Sequence, residues 1–445
     1  MKKSIFLLLF VILLKIPIIL NTDLSSDECY YFLWSKNLDI SYYDHPPCVA
    51  YLIYLSTKIF GENEFGVRFP SILLSFLTGI FLIMIGKKLK NYETSFNIIL
   101  LISASIIFSV GSFIFTPDTP LIFFSILSYY FLLKYKENNN FIYLSAIFFG
   151  LSLLSKYTAI LILPSFVYFL YKEKILFKKE GILFFLISLF IFSPVLIWNF
   201  KNEFISFKFQ LSHGIPSKKL NLLNTLNYLR DSILVLSFPL SLLIFYYSLK
   251  GLFKEKLNSL TISAFLPFIF FLLTSLRFRP EANWPCISYI FMIILSGIYL
   301  KREKIFWIFF TISFIINIFL HLHAIHPFIK IKNDPIFKIK GKKEFALEID
   351  KIRKEKNIKN VAANTYQIAS TLSFYLPDRA FVPSLNISSR ENQFSLWKNK
   401  FFDLNEEFIF VGKMNKKIFE GFEKVEKIKS LNFNDKEIEV YILKK

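Results

Sequence analysis

Charge and cysteine are both scarce in this chain of 445 residues. Only 19% of its residues are charged, 54% are hydrophobic, and the mean hydropathy is +0.47. A soluble chain of this length breaks its apolar residues into short stretches. Here apolar runs of roughly 18 residues or more recur, long enough to cross a ~30 Å hydrocarbon core as helices. The ~10-residue alternating strands of a membrane barrel are missing, as are internal repeats and low-complexity linkers. The three cysteines, Cys29, Cys48 and Cys286, form no CxxC pair and no metal-binding spacing, and their odd number defines no disulfide scheme. Phenylalanine, at 56 residues, is abundant enough to reflect biased codon usage, so single Phe positions carry little weight.

The net charge of +20 does not point to nucleic acid, because Lys and Arg concentrate in short loops between apolar runs. The run 4–20 follows Lys2 and Lys3, is interrupted by Lys15 and is followed by no small-residue cleavage site. It reads as an uncleaved first span with its N-terminus inside. Further spans are expected near 66–86, 95–115, 118–134, 141–155, 158–171, 181–198, 225–249, 259–276, 284–300 and 304–322. That makes roughly eleven spans, up to about thirteen if short ones are missed. Alternate loops hold Lys87, Lys88 and Lys90, then Lys134 and Lys136, the segments 172–179 and 250–256, and Lys301 to Lys304. All fall inside under the positive-inside rule. The loops 21–65, 116–117, the neighbourhood of 156, 199–224, 277–283 and everything after about 323 then face outward.

After His326 the chain turns polar and Lys-rich and is broken by Pro327, Pro335 and Pro377. Residues 342–357 read as an amphipathic helix, and Val361–Ala363, Phe408–Val411 and 438–443 as short strands. The expected organisation is a polytopic α-helical membrane domain, 1–326, that includes the outer loop 21–65. A small extracytoplasmic α/β domain, 327–445, follows it.

Polar groups within such a membrane protein are the places to look for chemistry, because an ionisable group at membrane depth is costly and needs a partner or a task. The first outer loop alternates aromatics with carboxylates: Asp23, Asp27, Glu28, Tyr30, Tyr31, Trp34, then Tyr42, Tyr43, Asp44, His45, Pro46 and Pro47, ahead of an amphipathic helix at 48–60. One reading is an aromatic belt with its charges in water. The other is a carboxylate under an apolar roof, serving as a general base. Asp118, in Thr116-Pro117-Asp118-Thr119-Pro120, reads locally as a helix cap, yet it shares a membrane face with Asp27 and Asp44. Cations sit on that face too: Lys156 between two apolar runs, and Arg277 and Arg279 ahead of Glu281 and Asn283. Arg forks bind phosphate oxygens in pairs, so a lipid-linked phosphate explains them, and an Arg279–Glu281 pair is the structural alternative. Arg68 fits either set. His321, His323 and His326 are spaced so that they do not share one helix face, which argues against a metal cluster. His213 is a better single candidate.

The ordered set of segments Asp27-Glu28 with Tyr30-Tyr31, Tyr43-Asp44-His45-Pro46-Pro47, 66–71, 116–120, 150–158, 194–199, 207–214 and 280–285, with 364–375 and 390–397 beyond, resembles the bacterial glycosyltransferases of the protein-mannosyltransferase-like superfamily. Within it the chain is most similar to the lipid A aminoarabinose transferases and their uncharacterised relatives. The resemblance implies a GT-C fold in the inner membrane and transfer of a monosaccharide from polyprenyl (undecaprenyl) phosphate, with inversion, to lipid A, another glycoconjugate or a protein. It implies Asp27 as catalytic base, Asp118 as the second acidic position with Glu28 beside the base, and Lys156 facing the carrier phosphate. Arg277, Arg279, Arg68, His45, Tyr31, Tyr43, Glu281 and Asn283 are the further expected contacts to donor phosphate and substrate. His45 stands where the aminoarabinose enzymes carry a phosphate-contacting Lys, which sets this chain apart on the donor sugar. No cofactor is required. A divalent cation held by Asp44 and His213 is an option the chemistry does not need. A flippase of lipid-linked sugars also accounts for intramembrane charges, but the sequence pattern has no paired repeats and no interrupted midplane helices. A polymerase or ligase using a diphosphate-linked donor is a third reading.

Overall fold

The computed structural model describes residues 1–109, 111–214, 220–329, 338–386, 390–403, 405–413, 421–433 and 436–444, without the side chains of 212–214. The helices run, in chain order, α1 (Lys2–Asn21), α2 (Ser26–Lys36), α3 (Cys48–Phe60), α4 (Glu64–Leu89), α5 (Tyr92–Ser103), α6 (Asp118–Lys134) and α7 (Phe141–Ser155). Next come α8 (Leu163–Lys172, led in by a 3-10 segment Tyr157–Ile162), α9 (Lys179–Lys201), α10 (Ile205–Gly214), α11 (Leu222–Val235), α12 (Leu240–Glu255), α13 (Ser259–Ser275), α14 (Cys286–Tyr299) and α15 (Lys304–Ile325). The remainder holds α16 (Lys342–Lys356), β1 (Val361–Ala363), α17 (Tyr366–Tyr375), α18 (Gln393–Leu396), β2 (Phe408–Val411), β3 (Lys424–Phe433) and β4 (Lys436–Lys444).

Each expected span contains helix. Among the described residues α1, α4, α9 and α15 are long and apolar enough to cross a bilayer unaided, and several others are shorter apolar helices. Two expectations are corrected. The run 225–249 is not one helix: α11 and α12 meet at a bend of 104°. Pro239 has no N–H to continue the ladder, and the Leu240 N–H instead reaches the Ser313 hydroxyl. The run 95–115 stops being α-helical at Ser103, where Ser103 and Ser105 turn their hydroxyls onto the carbonyls of Leu100 and Leu101, a local competition that favours a helix end.

Contacts divide the chain into two compact units. The first comprises 1–18, 45–49 and 68–323; the second comprises 19–44, 50–67 and 324–445. Most of the first loop thus groups with the C-terminal segment, whereas the sequence suggested attaching it to the spans.

The first unit is a helical bundle around α14, whose residues 286–297 are all buried. Because lipid tails are as apolar as leucine, helices in a bilayer associate through close packing and a few hydrogen bonds. Both are evident. Ser128 on α6 and Ser145 on α7 each donate a hydroxyl to the other's carbonyl at 2.7 and 2.8 Å. Ser296 on α14 bonds the Ile244 carbonyl of α12 at 2.7 Å. A Cβ on Gly150 would stand 2.8 Å from the Ile191 Cβ, so α7 and α9 meet at a distance only glycine permits there. Lys15 of α1, fully buried, donates to the Ser112 hydroxyl at 2.6 Å.

The second unit carries a four-stranded sheet ordered β1-β2-β4-β3, with β1 parallel to β2 and the other pairings antiparallel. The core of the sheet is Ala362, Phe408, Phe410, Tyr441 and Leu443. Strand β3 was not anticipated. It is an edge strand whose first four residues are exposed and whose next four are half-buried, with a bulge between Lys427 and Lys429. Its burial does not alternate along the strand, and only Phe433 at its end is fully buried, so it has no two-residue hydrophobic period to recognise. Helix α2 packs on α17: the Leu24 N–H donates to the Tyr375 hydroxyl at 2.7 Å, and Phe32 meets Phe374 edge-on at 4.8 Å.

Candidate active site

In the first unit, polar side chains converge on Asp118, the first residue of α6. The cap role is corrected here: Pro117 is the N-cap, and no side chain caps this helix. The Asp118 carboxylate instead accepts from Lys156 Nζ at 2.6 Å, from Asn283 Nδ2 at 2.6 Å and from Cys286 Sγ at 3.3 Å. Lys156 caps α7 in an extended conformation that breaks the helix and turns the residue out of it, and Asn283 and Cys286 lie just before and at the start of α14. A cavity of about 270 Å³ borders this cluster. Its lining combines Lys15, Ser112, Asp118 and Asn283 with apolar side chains such as Leu82 and Ile290, a mixture suited to an amphipathic lipid with a charged head.

The remaining expected cations lie elsewhere in this unit. Arg279 pairs with Asp231 of α11 at 3.0 Å, and Asp231 also holds Arg230, so the Arg279–Glu281 pair considered from the sequence is replaced. Arg277 and Glu281 are exposed. Arg68 is fully buried with its guanidinium over the Phe113 ring at 5.2 Å. His45 is half-buried in the short segment 45–49.

The second unit holds a separate network around Asp27. Helix α2 opens with a capping box: the Glu28 carboxylate accepts the Ser25 N–H at 2.8 Å, and the Ser25 hydroxyl accepts the Glu28 N–H at 3.2 Å. Glu28 is therefore engaged in holding the helix start, beside the expected base. Asp27, one residue earlier, is left solvent-accessible. Its Oδ1 accepts from the Tyr366 hydroxyl of α17 at 3.2 Å. Protein nevertheless crowds it, and this burial raises its pKa above the ordinary carboxylate value. The Tyr366 hydrogen bond pulls the other way, Asp44 adds to the rise, and Arg390 and Lys338 oppose it.

Asp44 is buried and accepts from the Tyr30 hydroxyl and from Arg390 Nη1, both at 2.7 Å. Its oxygens thus serve an ion pair. The His213 side chain, its suggested partner on a cation, lies outside the described residues. Among the described residues no three His, Cys, Asp or Glu side chains gather as a metal set, and His321 Nδ1 meets the Asn317 carbonyl at 2.7 Å. Tyr43 is anchored through its N–H to the Gln393 side chain at 2.9 Å. Tyr31 packs edge-on against Trp34 at 5.0 Å.

Sequence reasoning missed Tyr366, Arg390 and Cys286 as members of these clusters. Tyr366 and Arg390 lie in segments counted toward the family resemblance, so their positions, though not their roles, were visible. Cys286 left no signal, because a lone cysteine in an apolar run is an ordinary small core residue.

Residues 44–198 match the family of dolichyl-phosphate-mannose-protein mannosyltransferases. An uncharacterized protein of Aquifex aeolicus is 32% identical over 129 residues, 28% of this chain and 26% of that protein. The lipid A galacturonosyltransferase RgtD of Rhizobium johnstonii is 28% identical over 150 residues, 32% of this chain and 31% of that protein. The matched segments thus span about a quarter to a third of these curated relatives. Over nearly the full length of both chains the fold is similar to ArnT from Cupriavidus metallidurans. Against the structure bound to undecaprenyl phosphate, the TM-score is 0.64 at 14% identity, covering 99% of this chain and 97% of ArnT. Against the apo structure, the TM-score is 0.66 at 12% identity, covering 98% and 97%. The chain is a multi-pass membrane protein with the GT-C fold.

Proposed function

We propose that the protein transfers a monosaccharide from a polyprenyl-phosphate carrier to a hydroxyl or phosphate on lipid A or another envelope glycoconjugate, at the outer face of the inner membrane and with inversion. Asp27 is the observation that carries this reading. It is a solvent-accessible carboxylate whose pKa is raised by burial, on a helix whose start is fixed by the neighbouring Glu28. A general base needs that combination: a lone pair within reach of substrate and a proton affinity moved toward neutrality. Asp27 takes the proton from the acceptor hydroxyl as that oxygen attacks the anomeric carbon and the carrier phosphate leaves.

Phosphate departure develops negative charge, which a preorganised cation stabilises. Lys156 supplies it. Asp118 orients the Lys156 ammonium, and Asn283 adds an N–H donor beside the same carboxylate. The neighbouring cavity, mostly apolar with a few polar groups, suits the start of a prenyl chain. The match to dolichyl-phosphate-mannose enzymes, the similarity to a lipid A galacturonosyltransferase and the fold shared with ArnT support a lipid-phosphate donor and a glycolipid acceptor.

The test is transfer in proteoliposomes holding undecaprenyl phosphate loaded with labelled aminoarabinose, galacturonic acid or mannose, together with extracts containing glycolipid acceptors. Label should reach an acceptor with the wild type, and Asp27→Asn should lower the rate by ~10²–10⁴. A fully active Asp27→Asn enzyme would sink the assignment. The bend between α11 and α12 gives a flippase reading one supporting feature, since transporters build sites on interrupted helices. Label that crosses the bilayer while staying on its carrier would favour that reading instead.

A further inference from the structure

We propose that Tyr366 is a positioning residue for Asp27, and that Arg390 and Asp44 hold Tyr366 in place for that task. This rests on Asp27 being the base, as proposed above, and adds the C-terminal segment to the reaction.

The Tyr366 hydroxyl donates to Asp27 Oδ1 at 3.2 Å, and among the described residues Oδ2 has no protein hydrogen-bond donor. One oxygen is held while the other is left to accept a proton. A carboxylate pinned at one oxygen cannot spin about its Cβ–Cγ bond, so the direction of the free lone pairs is fixed. Tyr366 is itself constrained. Its ring lies 4.7 Å from that of Tyr30, and the Arg390 guanidinium stands over it at 5.4 Å. Arg390 is fixed in turn by Asp44 at 2.7 Å, and Asp44 by the Tyr30 hydroxyl. The relay therefore runs from Tyr30 through Asp44, Arg390 and Tyr366 to Asp27. It joins α2 to two separated stretches of the C-terminal segment, and a polar chain of this kind, anchored at the buried Tyr30 and Asp44, restricts the geometry of its outer members.

A purely structural tyrosine would do none of this to the Asp27 proton. The charged groups acting on Asp27 are Asp44, which raises its proton affinity, and Arg390 and Lys338, which lower it. Lys342 also senses its charge. The Tyr366 hydrogen bond favours the ionised form. Tyr366→Phe keeps the ring but removes the donor, so Asp27 must hold its proton to higher pH.

The experiment uses the full chain in proteoliposomes and needs no knowledge of the natural sugar. Carbodiimides react with protonated carboxyls, so the fraction of Asp27 modified, read by mass spectrometry across a pH series, reports its titration. The midpoint should move to higher pH in Tyr366→Phe, and Arg390→Lys should move it too by loosening Tyr366. In the transfer assay, the acid limb of kcat should shift the same way and kcat at its plateau should fall about 10- to 10²-fold, with KM for the loaded undecaprenyl phosphate little changed. An unmoved midpoint in Tyr366→Phe overturns the proposal while leaving Asp27 as the base. An active Asp27→Asn enzyme overturns both.

Discussion

Consider the consequence of cutting the Lys156–Asp118 pair. The two charges are 2.6 Å apart, with side chains only 10% and 14% exposed. At an effective dielectric of ~20 their Coulomb attraction is about 6 kcal/mol, and desolvation of both ions cancels much of it. Removing one partner is different, because the survivor keeps its desolvation cost and loses its counter-charge, typically ~3–5 kcal/mol. Asp118 retains the Asn283 and Cys286 donors, so Lys156→Met should sit near the lower end, about 3 kcal/mol. Asp118→Asn, which strands the ammonium, should cost about as much. In the double variant no charge is left unpaired, so its loss should fall short of the sum by ~2–3 kcal/mol. Unfolding of a polytopic protein is seldom two-state, so the assay is the apparent midpoint for each of the four proteins in one detergent at one heating rate. At roughly 2 °C per kcal/mol, each single change lowers the midpoint by about 6 °C, and the double variant lies well above the additive value. Strict additivity would refute the reasoning, since it would mean the two groups do not sense each other's charge.

Two further outcomes concern the second unit. Glu28→Gln keeps a capping-box acceptor and should retain both stability and sugar transfer, whereas Glu28→Ala should cost about 1 kcal/mol; a ~10²-fold loss of transfer in Glu28→Gln would place Glu28 in the chemistry. Burial lowers the Lys342 ammonium from 10.5 to about 8. Its folded-state affinity is the weaker one, so below pH 8 the unit bears the whole penalty, and stability rises as pH climbs from about 8 toward 10.5, where only the unfolded chain still binds that proton. Lys342→Met should flatten this rise in the midpoint-against-pH curve relative to wild type, and parallel curves would show that Lys342 keeps its proton throughout.

Hydropathy made most of the helices legible because a span has one dominant requirement, length without charge. It failed where a local group overrode that requirement: at Pro239, where the ladder lacks a donor, and after Ser103, where hydroxyls compete for carbonyls. Strands β1, β2 and β4 could be read because they are apolar and short, while β3 has no alternating burial to betray it. In the two candidate clusters, Asp27 of the second unit and Lys156 and Asn283 of the first stood out as polar groups in unexpected company. The meaning of Asp118 and Glu28 did not. Both sit at helix starts, where a carboxylate caps or does not cap according to partners 38 or 165 residues away for Asp118 and 3 residues away for Glu28. Tyr366 and Arg390 come together with Asp27 and Asp44 across more than 300 residues of chain, a distance over which no local pattern carries information.

The lysine in the middle of α1 has a consequence for how the protein is made. Its hydroxyl partner, Ser112, lies 97 residues further along the chain. At ~5–20 residues per second, synthesis takes roughly 5–20 s to cover that gap. During the interval the nascent helix holds an ammonium, a group that opposes insertion by ~2.5–3.5 kcal/mol at the helix centre, with nothing yet to receive its proton donors. Leu, Ile, Phe and Val residues of the same helix, each favouring insertion by ~0.3–0.6 kcal/mol, offset that cost, and the lysine can reach toward the lipid headgroups until the segment after α5 emerges. The buried ammonium gains its hydroxyl partner only after the later segment arrives, so the earliest part of the chain to be translated is completed late at this one contact.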